Sequence, residues 1–182
     1  MIAVATLIEP QSTLTLAPTW GRILSLLSKA GVANVGLPHF SWHLASDYRL
    51  KDAREILRKI VEDETPFNAK MSGVGIFTGE FPVVHLPLAQ GDRMTRLHRK
   101  LWDALGGVSQ SPSGYYSPEN WFPHITLVEG DETAFDLNNL ISGLATEPLY
   151  FDIPVDHLAI IYRTDSGQGI LDRFPFQGMP AQ

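Results

Sequence analysis

The chain has 182 residues, of which 44% are apolar, carries a net charge of −6 and contains no cysteine. A chain of this length and apolar content has enough core-forming residues for a single domain, which we place over residues 1–182. The absence of cysteine excludes disulfides and thiolate metal sites. The acidic balance argues against a surface that binds long nucleic acid by neutralising its phosphates.

The periodicity of apolar residues predicts alternating strands and helices along the chain. Apolar residues that recur every three or four positions mark the helices, and some of these end at glycine. A stretch rich in Ser, Pro, Gly and Tyr is expected to form a loop. In chain order the prediction is a strand (2–9), a helix (18–31), a strand (40–46), a helix (51–64), a bent strand (67–79), a strand (81–89), a helix (92–107), the loop (108–120), a strand (124–129), a helix (133–144) and three strands (149–155, 157–163 and 169–176).

The two halves of the chain resemble each other in the order of these elements. In each half a Pro-His sequence opens a strand, and a helix, an extended segment after a proline and two further runs of strand residues follow. This order predicts a duplicated, bilobal α+β fold. We expect two antiparallel sheets with flanking helices, related by a pseudo-twofold around a central cleft.

Two short sequences, "PHFSW" in the first half and "PHITL" in the second, share one pattern. Of the six histidines, His39 and His124 alone have a hydroxyl residue two positions later, and both follow proline. Successive side chains of a strand point to opposite faces, so His39 shares a face with Ser41, and His124 with Thr126. The pattern therefore predicts two His–hydroxyl pairs that face each other across the cleft.

Two histidines and two hydroxyls around one small ligand suit attack on a phosphodiester. One neutral imidazole takes a proton from the incoming oxygen and one imidazolium gives a proton to the leaving oxygen, because a pKa near 6.5 allows both forms near neutrality. The hydroxyls can donate to the non-bridging phosphate oxygens. The scheme needs no cofactor. The sequence has no His-Glu-x-x-His and no acidic cluster beside either motif, so we expect no metal site.

These motifs resemble the signature of the 2H phosphoesterase superfamily, which includes 2′-5′ RNA ligase-like proteins and cyclic phosphodiesterases. The resemblance extends from about Ile2 to Phe176, and Ser41 stands where threonine is common. It implies a bilobal fold with both motifs lining a central cleft. It also implies metal-independent chemistry on 2′,3′-cyclic phosphates or 2′-5′ linked nucleotides, with His39 and His124 as the catalytic pair and Ser41 and Thr126 as phosphate-binding residues.

Further residues are candidates for substrate binding, and each has a structural alternative. His43 shares the His39–Ser41 face if the strand continues, and otherwise is a core or edge histidine. Arg163 follows a strand near the cleft, where it would bind phosphate with two guanidinium nitrogens or lie solvated at the strand end. Aromatic residues before the second motif would stack on a base or pack the loop against the domain; these are Tyr115, Tyr116 and Trp121.

The repeat and the helical pattern add two weaker expectations. Tyr162 and Phe77 occupy equivalent positions of the repeat, and each either lines the cleft or packs in the core. His98 lies in a helix among Arg96, Arg99 and Lys100, which indicates a solvated basic face.

The favoured function is a phosphodiesterase that opens 2′,3′-cyclic phosphates or related small nucleotide esters. RNA end-processing or reversible 2′-5′ RNA ligation is the alternative enzyme. A non-catalytic nucleotide-binding module and a protein-interaction domain are the alternatives from other classes. We expect a small nucleotide or an RNA terminus as partner, with no extended nucleic-acid surface. The sequence shows neither a signal peptide nor a membrane span, and the lack of cysteine fits a reducing compartment, so we expect a cytoplasmic protein with no membrane contact. Nothing in the sequence demands a partner chain, so we expect a monomer.

Overall fold

A computed structural model describes residues 1–10, 16–32, 36–130, 135–164 and 167–177. These residues form an α+β fold, as predicted. The helices are α1 (Leu16–Lys29), α2 (Leu50–Glu62), α3 (Asp92–Gly106) and α4 (Leu137–Leu144). The strands are β1 (Ile2–Leu7), β2 (His39–Tyr48), β3 (Phe67–Ser72), β4 (Gly75–Phe77), β5 (Val83–Pro87), β6 (Ser109–Pro112), β7 (His124–Glu129), β8 (Tyr150–Val155), β9 (His157–Thr164) and β10 (Gly167–Pro175).

Each histidine motif lies in its own antiparallel sheet. The first motif is on β2, in a five-stranded sheet with the order β10-β9-β1-β2-β6. The second motif is on β7, in a three-stranded sheet with the order β4-β5-β7. A two-stranded ribbon of β3 and β8 extends this second sheet through an isolated bridge between Met71 and Leu88. The prediction of antiparallel sheets is confirmed, and the second sheet is built in two pieces.

Both sheets contain strands from both halves of the sequence. The carboxy-terminal hairpin of β9 and β10 pairs with β1 and so completes the sheet of the first motif. The hairpin of β4 and β5, from the first half, pairs with β7 and so completes the sheet of the second motif. This exchange makes the two sheets parts of one folded unit, since neither sheet forms from its own half of the chain alone.

The motif strands bury their apolar side chains in a single core. Phe40 and Trp42 on β2 and Ile125 on β7 are fully buried, and Leu127 is nearly so. The helices cover this core: α1 packs against α4, α2 against α3 and the β9–β10 hairpin, and α3 against β2. Burying one large apolar side chain stabilises the fold by about 1.5–3 kcal/mol relative to leaving it exposed. The buried residues that alternate with the motif side chains therefore anchor both motif strands in the core.

The predicted loop over residues 108–120 is wrong in part. Residues Ser109–Pro112 form β6, an edge strand that pairs with the end of β2, and Gly114–Tyr116 form one 3₁₀ turn. This strand is short and polar and ends in proline, which are features that suit an exposed sheet edge. A polar strand has no alternation of apolar residues, so the sequence pattern does not predict it. Positions 133 and 134 of the predicted fourth helix lie outside the described residues. Within the described part of the chain, no helix is long and apolar enough to cross a membrane.

Candidate active site

The two motif histidines are held by the same local hydrogen bond. His39 and His124 are the first residues of β2 and β7. His39 Nδ1 lies 2.6 Å from the carbonyl oxygen of Leu37, and His124 Nδ1 lies 2.6 Å from that of Phe122. A carbonyl oxygen only accepts, so each Nδ1 carries the proton and each neutral ring has its lone pair on Nε2. In both motifs, then, Nε2 is the atom left for chemistry.

Both motif strands bulge immediately after the hydroxyl residue. On β2, Ser41 pairs with Ala5 and His43 with Val4, so Trp42 is the extra residue. On β7, Thr126 and Val128 pair with consecutive residues of β5, so Leu127 is the extra residue. A bulge of this kind shifts the alternation of a strand by one residue. Its occurrence at the same motif position in both strands supports the predicted duplication.

The two histidines are close enough to influence each other. β2 and β7 are in contact, and a positive charge on His39 or His85 lowers the pKa of His124. Burial is the largest cause of the lowered pKa at both His39 and His124, and it outweighs the opposing hydrogen bonds to Leu37 and Phe122. The unliganded site therefore favours two neutral imidazoles at neutral pH.

The motif hydroxyls differ in their surroundings. Thr126 is exposed, whereas Ser41 is half-buried. Trp121 Nε1 donates to the Ser41 carbonyl oxygen at 3.0 Å, and the Tyr116 hydroxyl hydrogen-bonds the Ser41 side chain. Burial raises the pKa of Tyr116, so its phenol stays protonated. Ser41 is thus held at both its backbone and its side chain by the segment that precedes the second motif.

His43 does not share the His39–Ser41 face, so its prediction as a substrate-binding residue is wrong and the alternative of a core histidine is right. The bulge at Trp42 turns His43 toward the core, where it is fully buried against Tyr48 and Trp102. His43 Nδ1 lies 2.5 Å from the Tyr48 hydroxyl oxygen, and its Nε2 is buried with no hydrogen-bond partner. Burial lowers the pKa of His43 to about 4, so the residue is a neutral core histidine.

We expect His43 to make the fold sensitive to acid. An unfolded histidine has a pKa near 6.5, so between pH 6.5 and 4 the unfolded chain binds more protons than the folded one, and stability falls as the pH falls. Across that pH range His43 should lower the free energy of unfolding by about 1–3 kcal/mol. Denaturant unfolding of His43→Gln and of the wild type at pH 7 and pH 4.5 measures it. The variant should lose less stability between the two pH values, and equal losses would contradict the assignment.

The aromatic segment before the second motif is mainly structural. Trp121 is buried, with its ring stacked 5.3 Å from Trp42 and 4.0 Å from His98. His98 is itself buried rather than solvated, and its Nε2 lies 3.0 Å from the Tyr116 carbonyl oxygen. The expected solvated position of His98 is therefore wrong. Tyr115 remains the exposed ring of the segment, with 84% of its surface accessible.

The alternation along β9 separates Arg163 from Tyr162. Ser41 pairs with Ala5, and Ala5 pairs with Ala159, so Ala159 lies on the Ser41 face of the sheet. Counting by twos along β9 places Arg163 on that same face and Tyr162 on the opposite one. The Tyr162 ring covers the backbone of Gly169 there and does not line the cleft. Arg163 lies at the cleft, and its charge contributes to the lowered pKa of His39.

Sequence reasoning missed a carboxylate at this site. The bulge at Leu127 brings Glu129, at the end of β7, onto the same face as Thr126. Glu129 pairs with Val83 and Thr126 pairs with His85, and these two partners lie two residues apart on β5, hence on one face. Glu129 Oε2 lies 3.3 Å from Arg163 Nη1. Plain alternation along β7 would place Glu129 on the core face, and the bulge is what reverses this.

Aromatic rings surround His124 on the second sheet. The Phe77 ring stacks on His85 at 4.0 Å and meets the His124 ring edge-on at 4.9 Å. Phe122 lies 5.7 Å from Phe77, and both are substantially exposed. Gly75 makes room for this arrangement, because a Cβ at that position would clash with the His85 ring. Phe77 thus lines the cleft, one of the two alternatives left open, and Phe122 is an addition.

Across the residues that the structure describes, no group of three His, Asp or Glu side chains is arranged to hold a metal ion. The candidate site consists instead of two Nε2 atoms, two hydroxyls, an arginine–glutamate pair and a set of aromatic rings. Such a set can exchange protons with a phosphodiester and donate hydrogen bonds to its oxygens.

A family model for the 2′-5′ RNA ligase superfamily matches residues 15–167, a span that includes both motifs. The chain belongs to the 2′-5′ RNA ligase superfamily, the 2H phosphoesterases. Solved structures agree on the fold of this superfamily member. TT0787 of Thermus thermophilus superposes with a TM-score of 0.63 at 17% identity, covering 97% of this chain and 98% of that one. LigT of E. coli, solved with NADP+, superposes with a TM-score of 0.56 at 14% identity, covering 97% of each chain.

A structure described as a phosphoesterase also superposes, with a TM-score of 0.58 at 14% identity over 97% of this chain and 98% of that one. Among curated protein sequences none matches this one significantly. At these identities the solved structures establish the fold of this 2′-5′ RNA ligase superfamily chain, and its reaction must be argued from its own residues.

Proposed function

We propose that the protein is a phosphodiesterase that opens 2′,3′-cyclic phosphates or related small nucleotide esters by two-histidine acid–base catalysis. The observation that carries this proposal is the matched pair of imidazoles. Each is fixed through Nδ1 to the carbonyl two residues earlier, so that Nε2 is the free atom, and each has a hydroxyl on the same strand face. Membership of the superfamily supports the reaction class.

The reaction balances with water and the two histidines alone. One neutral imidazole accepts a proton at Nε2 from a water molecule as its oxygen attacks phosphorus. The bond from phosphorus to one ring oxygen breaks, and the second histidine, as imidazolium, gives that oxygen its proton from Nε2. Ser41 and Thr126 donate to the non-bridging oxygens, where negative charge concentrates, and the Arg163 guanidinium supplies a nearby positive charge. Water has then been added across one P–O bond.

A turnover assay of the purified protein with EDTA tests the proposal. The substrates are 2′,3′-cyclic nucleotides, a 2′-5′ dinucleotide and a nucleotide-linked cyclic ester, and the control is the His39→Ala/His124→Ala double variant from the same preparation. We expect opening of a cyclic phosphate by the wild type, undiminished by EDTA and absent from the double variant. Cleavage of the 2′-5′ dinucleotide alone would favour the RNA-processing alternative. A strict requirement for an added divalent ion would overturn the metal-independent mechanism.

We expect Phe77 to bind the nucleobase by stacking. Its ring is exposed beside His124, and stacking of a base on an aromatic side chain contributes about 1–3 kcal/mol. Phe77→Leu, which keeps apolar packing on His85, should raise KM for a cyclic nucleotide by about tenfold and change kcat little. Ribose 2′,3′-cyclic phosphate, which has no base, should show no such increase. Tyr150→Leu, at an exposed ring on β8, is the matched control. Equal increases for both substrates would contradict stacking.

A further inference from the structure

The cleft ends in an ion pair that joins the two sheets. Glu129 lies at the end of β7 in the second sheet, and Arg163 lies near the end of β9 in the first. Their side chains meet at 3.3 Å between Oε2 and Nη1, and both remain partly exposed. Both residues lie on the sheet faces that carry the motif hydroxyls. The pair therefore spans the cleft from one sheet to the other.

Three side chains follow one another along the cleft face of β7. They are His124, Thr126 and, because of the bulge at Leu127, Glu129. At about 3.3 Å per residue, Glu129 starts no more than roughly 10 Å beyond Thr126. A nucleotide chain that continued along β7 past the reacting phosphate would bring its next phosphate to this carboxylate.

The negative charge of Glu129 is felt on the other side of the cleft. Burial is the main cause of the raised pKa of Tyr116, whose hydroxyl bonds Ser41 on the other sheet, and the Glu129 charge adds a smaller contribution. Arg163, the cation on that side, is paired with Glu129, and this pairing offsets part of the positive charge that a second phosphate would meet. A single anionic centre at the histidines is compatible with this arrangement. A further phosphate at the end of β7 also meets the negative charge of the Glu129 carboxylate directly.

We infer that Glu129 is a specificity-determining residue that excludes a second phosphate beyond the reacting one, so that the substrate is a nucleoside monophosphate ester and not the interior of a polynucleotide. This inference rests on the proposed function. It narrows the substrate class of the same site to esters that carry one phosphate.

Binding of two ligands that differ by one phosphate tests this inference without turnover. Adenosine 2′-monophosphate and adenosine 2′,5′-bisphosphate are titrated by calorimetry into the wild type, Glu129→Gln and Glu55→Gln. The last variant removes the same charge from the exposed Glu55–Lys59 pair on α2. Titrations at low and at physiological salt show whether the effect is electrostatic, because exposed charges are screened by salt.

We expect the wild type to favour the monophosphate. Glu129→Gln should shift the ratio of the two dissociation constants about tenfold toward the bisphosphate at low salt, and less at physiological salt. Glu55→Gln should leave the ratio unchanged. An unchanged ratio in Glu129→Gln, or a wild type that favours the bisphosphate, would overturn the inference and leave the proposed function standing. Failure of the wild type to bind either ligand would overturn both.

Discussion

His39→Ala and His124→Ala should each lower kcat on the best cyclic substrate by about a hundredfold to ten-thousandfold, the usual contribution of a general acid or base. Each change removes an Nε2 that exchanges a proton with the reacting phosphodiester. The two histidines act on one bond exchange, so the double variant should be little worse than the poorer single variant. Steady-state kinetics of the three variants at fixed pH measures this.

Asparagine variants are the matched controls for the histidines. In His39→Asn and His124→Asn the side-chain amide can still donate to the carbonyl of Leu37 or Phe122, as Nδ1 does, but it has no titrating nitrogen. These variants should fold with wild-type thermal transitions and be as inactive as the alanine variants. A folded His39→Asn protein with near-native kcat would show that a single histidine suffices, and the two-histidine mechanism would be wrong.

Ser41→Ala and Thr126→Ala should each lower kcat by about a hundredfold, the loss expected when one well-placed transition-state donor is removed. Ser41 should show the larger effect. Its side chain is oriented by the Tyr116 hydroxyl and its carbonyl by Trp121 Nε1, whereas Thr126 is exposed and must lose side-chain freedom on binding phosphate. Comparison of kcat and KM for both variants on one cyclic nucleotide gives the two effects separately.

Exchange of the two hydroxyl types supplies the controls for this prediction. Ser41→Thr and Thr126→Ser keep the donor and should retain kcat within about tenfold, since the hydroxyl is what the phosphate requires. Thr126→Val keeps the shape of threonine without its donor and should match Thr126→Ala. A Thr126→Val enzyme with wild-type kcat would show that this hydroxyl does not contact the transition state.

The placement of the two His–hydroxyl pairs was predictable from the sequence because regular strand geometry is enough to find it. Alternation along β2 places His39 and Ser41 on one face and buries Phe40 on the other. Alternation along β7 likewise places His124 and Thr126 on one face and buries Ile125. The structure shows these burial patterns. The match between the two motifs made the prediction specific, since a lone Pro-His-x-Thr is a weak signal that a structural histidine explains better.

Two failures of sequence reasoning, at His43 and at Glu129, share one physical cause. A β-bulge depends on pairing with the neighbouring strand, which a single strand's sequence does not reveal. The bulge at Trp42 turned His43 into the core, and the bulge at Leu127 brought Glu129 to the cleft. Tertiary packing likewise placed His98 against Trp121, although its helical neighbours are basic. Such positions depend on partners far away in the sequence.

The pH dependence of kcat/KM tests the central claim most directly, because it reports the ionisation of the free enzyme. The mechanism needs one neutral and one charged imidazole, so the profile should be a bell whose two limbs belong to the coupled pair. Burial lowers the pKa of both His39 and His124, so the maximum should lie below about pH 6.5. A kcat/KM that keeps rising above pH 7.5, with no limb requiring a protonated group, would contradict two-histidine acid–base catalysis at this site.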